Sequence, residues 1–168
     1  MKYGTMSYLS VNGEVLMIRK IKRENDPNSD FYTLPGGKLM DLEKGISQFG
    51  RLKSAIRETE EETGLKLLAP KLRGIILFDN SDRIFDNWKN PDNYLVYIFV
   101  ARSYNGQLKS KTDEGVPVWI NNVFIDAVRK NAGDKKIYEW LKNQKPFTGV
   151  IKHKGKTLDE AGTFVDYF

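Results

Sequence analysis

The chain has no cysteine and only one histidine among its 168 residues. Absence of cysteine rules out both a disulfide framework and a thiolate metal site. The lone histidine, His153, falls in an expected hairpin among lysines, where it reads as exposed and not catalytic. Long hydrophobic runs are also missing. No stretch approaches a membrane span, and Met1-Lys2-Tyr3-Gly4-Thr5 lacks the apolar core of a signal peptide. A cytoplasmic protein with no membrane partner is expected. Lysine and arginine outnumber aspartate and glutamate, 27 to 22, but the cations are scattered and form no block. That pattern gives no strong indication of a nucleic-acid groove. There is no internal repeat, low-complexity tract or linker, so one domain covering 1–168 is expected, long enough to bury a single core.

What the sequence has in concentration is acid. Arg57-Glu58-Thr59-Glu60-Glu61-Glu62-Thr63-Gly64-Leu65 carries four carboxylates in nine residues. On a helix, Glu58, Glu61 and Glu62 share one face and Glu60 points elsewhere. Like charges at that spacing cost about 0.2–0.5 kcal/mol per pair on an open helix. The plain alternative is a solvated acidic face. Against it stand a moderately apolar stripe (Leu52, Ala55, Ile56, Thr59, Thr63), Arg57 one turn before Glu61, and Gly64 as a C-terminal stop. Such a helix packs with its carboxylates at a groove edge, where hard cations such as Mg²⁺ or Mn²⁺ would neutralise them.

Elsewhere the pattern predicts strands over Tyr3–Val11 and Glu14–Lys20 joined by an Asn12-Gly13 turn, then over Leu72–Phe78, Tyr94–Arg102 and Val116–Ile120. Pro117 places the last at an edge or bulge. Residues 24–30 and 79–93 read as loops and Asn105-Gly106 as a turn. Helices are expected over Asn122–Asn131 and Lys135–Asn143, and a hairpin around Lys154-Gly155. The last ten residues are less predictable. Strands interleaved with two or three helices make an α/β or α+β layered domain.

The acidic stretch carries a resemblance. Gly37, Glu43 and Arg57-Glu58-x-x-Glu61-Glu62-x-Gly64-Leu65 resemble the Nudix box, the signature of enzymes that hydrolyse a nucleoside diphosphate linked to another moiety. Two departures stand out. Thirteen residues separate Glu43 from Arg57 where the family normally has seven, so 44–50 reads as an enlarged loop ahead of the helix, and Thr59 replaces an aliphatic residue. The resemblance implies a mixed β-sheet sandwiched between α-helices, a nucleotide substrate, and Mg²⁺ or Mn²⁺ as cofactor, and leaves a homodimer open. It makes Glu58, Glu61 and Glu62 metal ligands, with Glu61 either on the metal or orienting a metal-bound water, and gives backbone near Gly37 a part in holding metal or phosphate. Arg57 is expected to orient a carboxylate.

Asp113-Glu114-Gly115 ahead of Trp119 resembles the loop that supplies a general base, making Glu114 the candidate and Asp113 the fallback; an exposed acidic turn is the equal alternative. By the same resemblance Arg19 contacts phosphate, and Thr33 and Leu34 line the base pocket. Asp134 either reads a purine edge or simply caps a helix. Leu16-Met17-Ile18-Arg19, Gly133-Asp134-Lys135 and Pro146-Phe147-Thr148-Gly149 look like the MutT-type oxidised-purine triphosphatases. The expected reaction is hydrolysis of a nucleoside triphosphate, 8-oxo-dGTP among the candidates, to monophosphate and pyrophosphate. ADP-ribose or dinucleoside polyphosphate hydrolysis, a non-catalytic nucleotide-binding module, and action on RNA 5′ ends are the alternatives.

Overall fold

A computed structural model of the chain describes residues 1–21, 30–40, 48–84 and 92–168. Glu43 and most of the expected loop at 44–50 lie outside these, as do 24–29 and 85–91 of the other two expected loops.

A mixed sheet organises the structure. Its main path runs β11 (Thr157–Leu158), β10 (Phe147–Gly155), β6 (Lys71–Arg83), β7 (Tyr94–Ala101), β1 (Lys2–Val11), β2 (Glu14–Lys20) and β3 (Tyr32–Thr33). Pairings of β1 with β7 and of β10 with β6 are parallel; the others are antiparallel. Three strands branch from this path: β4 (Gly36–Lys38) on β1, β9 (Gly115–Asn121) on β2, and β12 (Phe164–Tyr167) on β10. β5 (Leu65–Leu68) and β8 (Ser103–Gly106) form a separate two-stranded ribbon.

Helices cover both faces, as the resemblance implies. Helix α1 (Gln48–Thr63) lays Ala55 and Leu52 on Tyr97, Phe99 and Leu39. On the other face α2 (Ala132–Leu141) buries Ile137, Tyr138, Trp140 and Leu141 against Ile76, Ile98, Phe147 and Ile151. The three- and four-residue spacing of those apolar positions gives α2 one core-facing stripe. In α1 the stripe includes threonines. Thr59 and Thr63 are fully buried, and each donates its hydroxyl to the carbonyl four residues back, Ala55 and Thr59, at 2.8 and 2.6 Å. Burial of a hydroxyl is tolerable on those terms, which accounts for threonine at a position the family usually fills with an aliphatic residue. Gly64 then ends the helix at φ +83°, its N–H bonded to the Glu60 carbonyl, as an L-residue there would be strained.

Several expectations are corrected. Residues 48–50 belong to α1 and not to a loop. β6 continues past Phe78 to Arg83 because β10 pairs along it. The helix expected at Asn122–Asn131 reduces to a 3₁₀ turn, Asn122–Phe124, capped by the Asn121 side chain, and Val123 and Phe124 stay exposed. The following helix starts earlier, with Asn131 at its cap, so Asp134 lies inside its first turn and is not the cap. Among the described residues β9 pairs only with β2, which leaves Pro117 on an edge strand as expected.

Candidate active site

Two short segments bring the glycines and the acidic face together. β4 pairs with β1 through Met6–Gly36, Thr5–Gly37 and Gly4–Lys38. That pairing runs the Gly36-Gly37 backbone beside the C-terminal half of α1. The Glu62 carboxylate, 8 % exposed, accepts the Gly36 N–H at 2.9 Å. The Glu58 carboxylate packs so tightly on Gly37 that a Cβ there would collide with it. Arg57 bridges the outer pair, its Nη1 lying 2.8 Å from Glu58 and 3.1 Å from Glu61. Its expected partner was Glu61 alone. Glu61 is the most exposed of the three acids, and Glu60 faces solvent.

The loop before β9 is pinned to the end of the same helix. The Lys109 ammonium donates to the Glu61 carbonyl at 3.0 Å, and the Thr112 hydroxyl donates to the Glu62 carbonyl at 3.3 Å. A cation there also opposes the negative end of the helix. The result is a cavity of about 560 Å³ that holds Glu58, Glu61 and Glu62 on one wall and Asp113 and Glu114 on another. Glu114 is bound to Lys20 at 2.8 Å. Glu62 also lines an adjoining cavity of about 260 Å³ with Lys20, Thr33, Leu34, Gly36 and Gly37. One cleft therefore carries a carboxylate cluster at one end and a more apolar recess, floored by Met6, Tyr94 and Val96, at the other.

Thr33 and Leu34 line the more apolar recess; Arg19 does not. Successive strand residues point to opposite faces; Lys20 enters the cleft, and Arg19 lies 3.8 Å from Asp30. Sequence reasoning missed Lys20 because Val15 to Ile18 are all buried, so no alternation marks the faces of this strand. The Gly36 N–H was equally invisible, since a backbone donor leaves no sequence signal. Asp134 is buried, and the nearby Thr33 hydroxyl favours its charged form. His153 was expected in solvent; it is half-buried beside Arg83, and its Nδ1 has no hydrogen-bond partner among the described residues.

Electrostatics separates these acids. Burial pushes the Glu62 carboxyl up to about 7, despite the opposing effects of the Gly36 N–H and Lys20; Glu114 and Glu58 push it further up. Burial also lifts Asp134 to about 6, with Thr33, Lys130 and Lys20 pulling the other way. A buried carboxyl that rises this far is one whose charged form lacks sufficient compensation. Among the described residues no three acidic side chains already converge at ligation distance. The donor set nonetheless suits a hard divalent ion: clustered carboxylate oxygens in a groove, one of them buried and short of positive charge.

Comparison with known proteins agrees with this geometry. The family model for the NUDIX domain matches residues 5–141. The chain is 31 % identical over 139 residues to YvcI of Bacillus subtilis (strain 168), described as an uncharacterized Nudix hydrolase; the match covers 82 % of this chain and 77 % of that one. The fold superposes on the MutT protein of Bacillus halodurans with a TM-score of 0.73 at 25 % identity, covering 92 % of this chain and 91 % of that one. It also matches the NUDIX domain of Shewanella oneidensis NrtR, crystallised with ADP ribose, with a TM-score of 0.64, 12 % identity and 84 % and 86 % coverage. The chain belongs to the Nudix hydrolase family. Within it, the chain is a MutT-like pyrophosphohydrolase acting on a nucleoside diphosphate-linked substrate, in a family that generally uses divalent metal ions.

Proposed function

We propose that the protein hydrolyses a nucleoside triphosphate to the monophosphate and pyrophosphate with Mg²⁺ or Mn²⁺, and that an oxidised purine nucleotide such as 8-oxo-dGTP is the preferred substrate. The observation that carries the reading is the single cleft in which Glu62 joins the acidic cluster to the recess lined by Thr33 and Leu34. Glu58, Glu61 and Glu62 would hold the metal, with backbone near Gly37 beside them. When bound, such an ion neutralises phosphate oxygens and lowers the pKa of water. Arg57 holds Glu58 and Glu61 in place.

Glu114 takes the proton as water adds to phosphorus and the anhydride P–O bond breaks, releasing pyrophosphate. Lys20 donates to that carboxylate at 2.8 Å. A polyphosphate entering beside Lys20 draws the ammonium away and frees Glu114 to act as base. Thr33 and Leu34 face the nucleoside, and Asp134, which lines the cavity beside Gly133 and His153, reads the purine edge. Arg19 serves phosphate only from the rim.

A substrate panel with Mg²⁺ tests this. Preferential turnover of 8-oxo-dGTP, releasing pyrophosphate, is expected. High turnover of ADP-ribose or dinucleoside polyphosphates with idle triphosphates would overturn it. Retained folding but lost turnover in Glu62→Gln separates an enzyme from a non-catalytic nucleotide-binding module.

A further inference from the structure

The face of the sheet that carries α2 has a second recess, at the far end of β1 from the acidic cleft. The cleft uses Gly4 to Met6 of that strand; the recess uses Tyr8 to Asn12. Its volume is about 590 Å³, within the roughly 300–1,000 Å³ of small-molecule sites. Tyr8 and Ser10 of β1 adjoin Val100 of β7, Arg102 follows directly after β7, Arg73 enters from β6, and the C-terminal turn of α2 closes one side.

Three features of this recess point to an anion. The Arg102 guanidinium is exposed and pairs with no carboxylate among the described residues. Arg73 spends one N–H on the Gln144 carbonyl, and a guanidinium has five to give. Tyr138, only 3 % exposed, lines the recess, and its hydroxyl has no hydrogen-bond partner among the described residues. Buried hydroxyls in native proteins rarely stay unpaired, so this one is a donor waiting for an acceptor. Lys142 also lines the recess, but Asp126 holds its charge at 2.8 and 3.0 Å.

The C-terminal end of a helix ordinarily repels anions. Here that end is already satisfied. The N–H groups of Lys142, Asn143 and Gln144 turn back onto the carbonyls of Glu139, Trp140 and Leu141, and Arg73 covers Gln144.

We propose that this recess is a second binding site, for a phosphate-bearing small molecule of nucleotide size. Arg102 and Arg73 take the phosphate oxygens, for which the planar guanidinium is the suited donor. The Tyr138 hydroxyl supplies the buried hydrogen bond, and Tyr8, Val100 and Leu141 cover the apolar body of the ligand.

The test is an NMR titration of the full, isotopically labelled chain without divalent metal, using inorganic phosphate, AMP and adenosine as probes. Phosphate and AMP are expected to shift amides of 8–12, 102 and 138–144, and adenosine is expected to leave them unmoved. Arg102→Glu should weaken that response by about tenfold or more, the loss of a charge-assisted contact. Mg²⁺-dependent turnover should be unchanged in the same variant, which keeps this result separate from the fate of the hydrolase reading. Tyr138→Phe should weaken the response severalfold. AMP binding more tightly than phosphate upholds the nucleotide-sized ligand; equal affinities would overturn it in favour of free phosphate. Unmoved amides at about 10 mM of both anions, a response as strong to adenosine, or an unchanged response in Arg102→Glu would overturn the proposal.

Discussion

Gly37 and the carboxylate of Glu58 occupy the same small volume, so that a methyl group on one would displace the other. What must move is the end of a flexible side chain, not backbone, so Gly37→Ala should cost little stability. Its effect falls on metal affinity, which should drop about 10- to 100-fold, the usual cost of misplacing a ligand. Isothermal titration with Mn²⁺ beside a thermal melt separates the two quantities.

Arg57 reaches Glu58 and Glu61 with the same nitrogen. Arg57→Ala should raise the Mg²⁺ concentration for half-maximal rate by about tenfold and leave the nucleotide KM at saturating Mg²⁺ unchanged. A raised KM with unaltered metal dependence would mean that Arg57 touches the phosphate chain instead.

Removing metal should make stability fall with rising pH. Burial raises the Glu62 carboxyl from 4.5 to about 7. The fold holds its proton where the unfolded chain has lost it, so this contribution is present below 4.5 and is lost as pH rises through 7. In chelator, wild type should melt lower at pH 8 than at pH 5, and Glu62→Gln should melt more nearly alike at both. At pH 8, metal at about a hundred times its Kd should restore about 2.7 kcal/mol to wild type and much less to the variant.

Asp134 obeys the same sign over a lower window, from 3.8 to about 6. Asp134→Asn keeps the size of the side chain and removes the buried charge. Ionising a carboxyl against that gap costs about 1.4 kcal/mol for every tenfold change in proton affinity. Urea denaturation at pH 7.5 should therefore show a gain of up to about 3 kcal/mol that vanishes by about pH 4.

Thr59→Val offers a test of the buried hydroxyls. The Ala55 carbonyl loses the threonine hydroxyl and keeps its place in the helix ladder. The substitution should be neutral or stabilising by up to about 1 kcal/mol, as read from the urea midpoint.

Legibility in the sequence followed periodicity. The acidic face of α1, the Gly64 stop, the Asn12-Gly13 hairpin and the paired central strands could be read because each is a local pattern. The ribbon of β5 and β8 could not, since its strands are four residues each and distant in sequence, and their pairing depends on how α1 ends. The 3₁₀ turn at Asn122 has helical composition, and only the absence of a burial face stops it from extending. In the cleft, the carboxylates announced themselves. Lys20 and the Gly36 N–H did not, because their placement comes from sheet register and not from residue type.

The parallel seam between β6 and β10 gives the final stretch a structural duty. The family match ends at Leu141, and the strand that shields one long side of β6 comes after it. A chain cut at that boundary would bare β6 from Gly74 to Arg83 along one side and uncover Trp140, which now rests on Gly149. An unprotected border of that length is a template for sticking to other chains. The closing residues thus act as a guard against self-association.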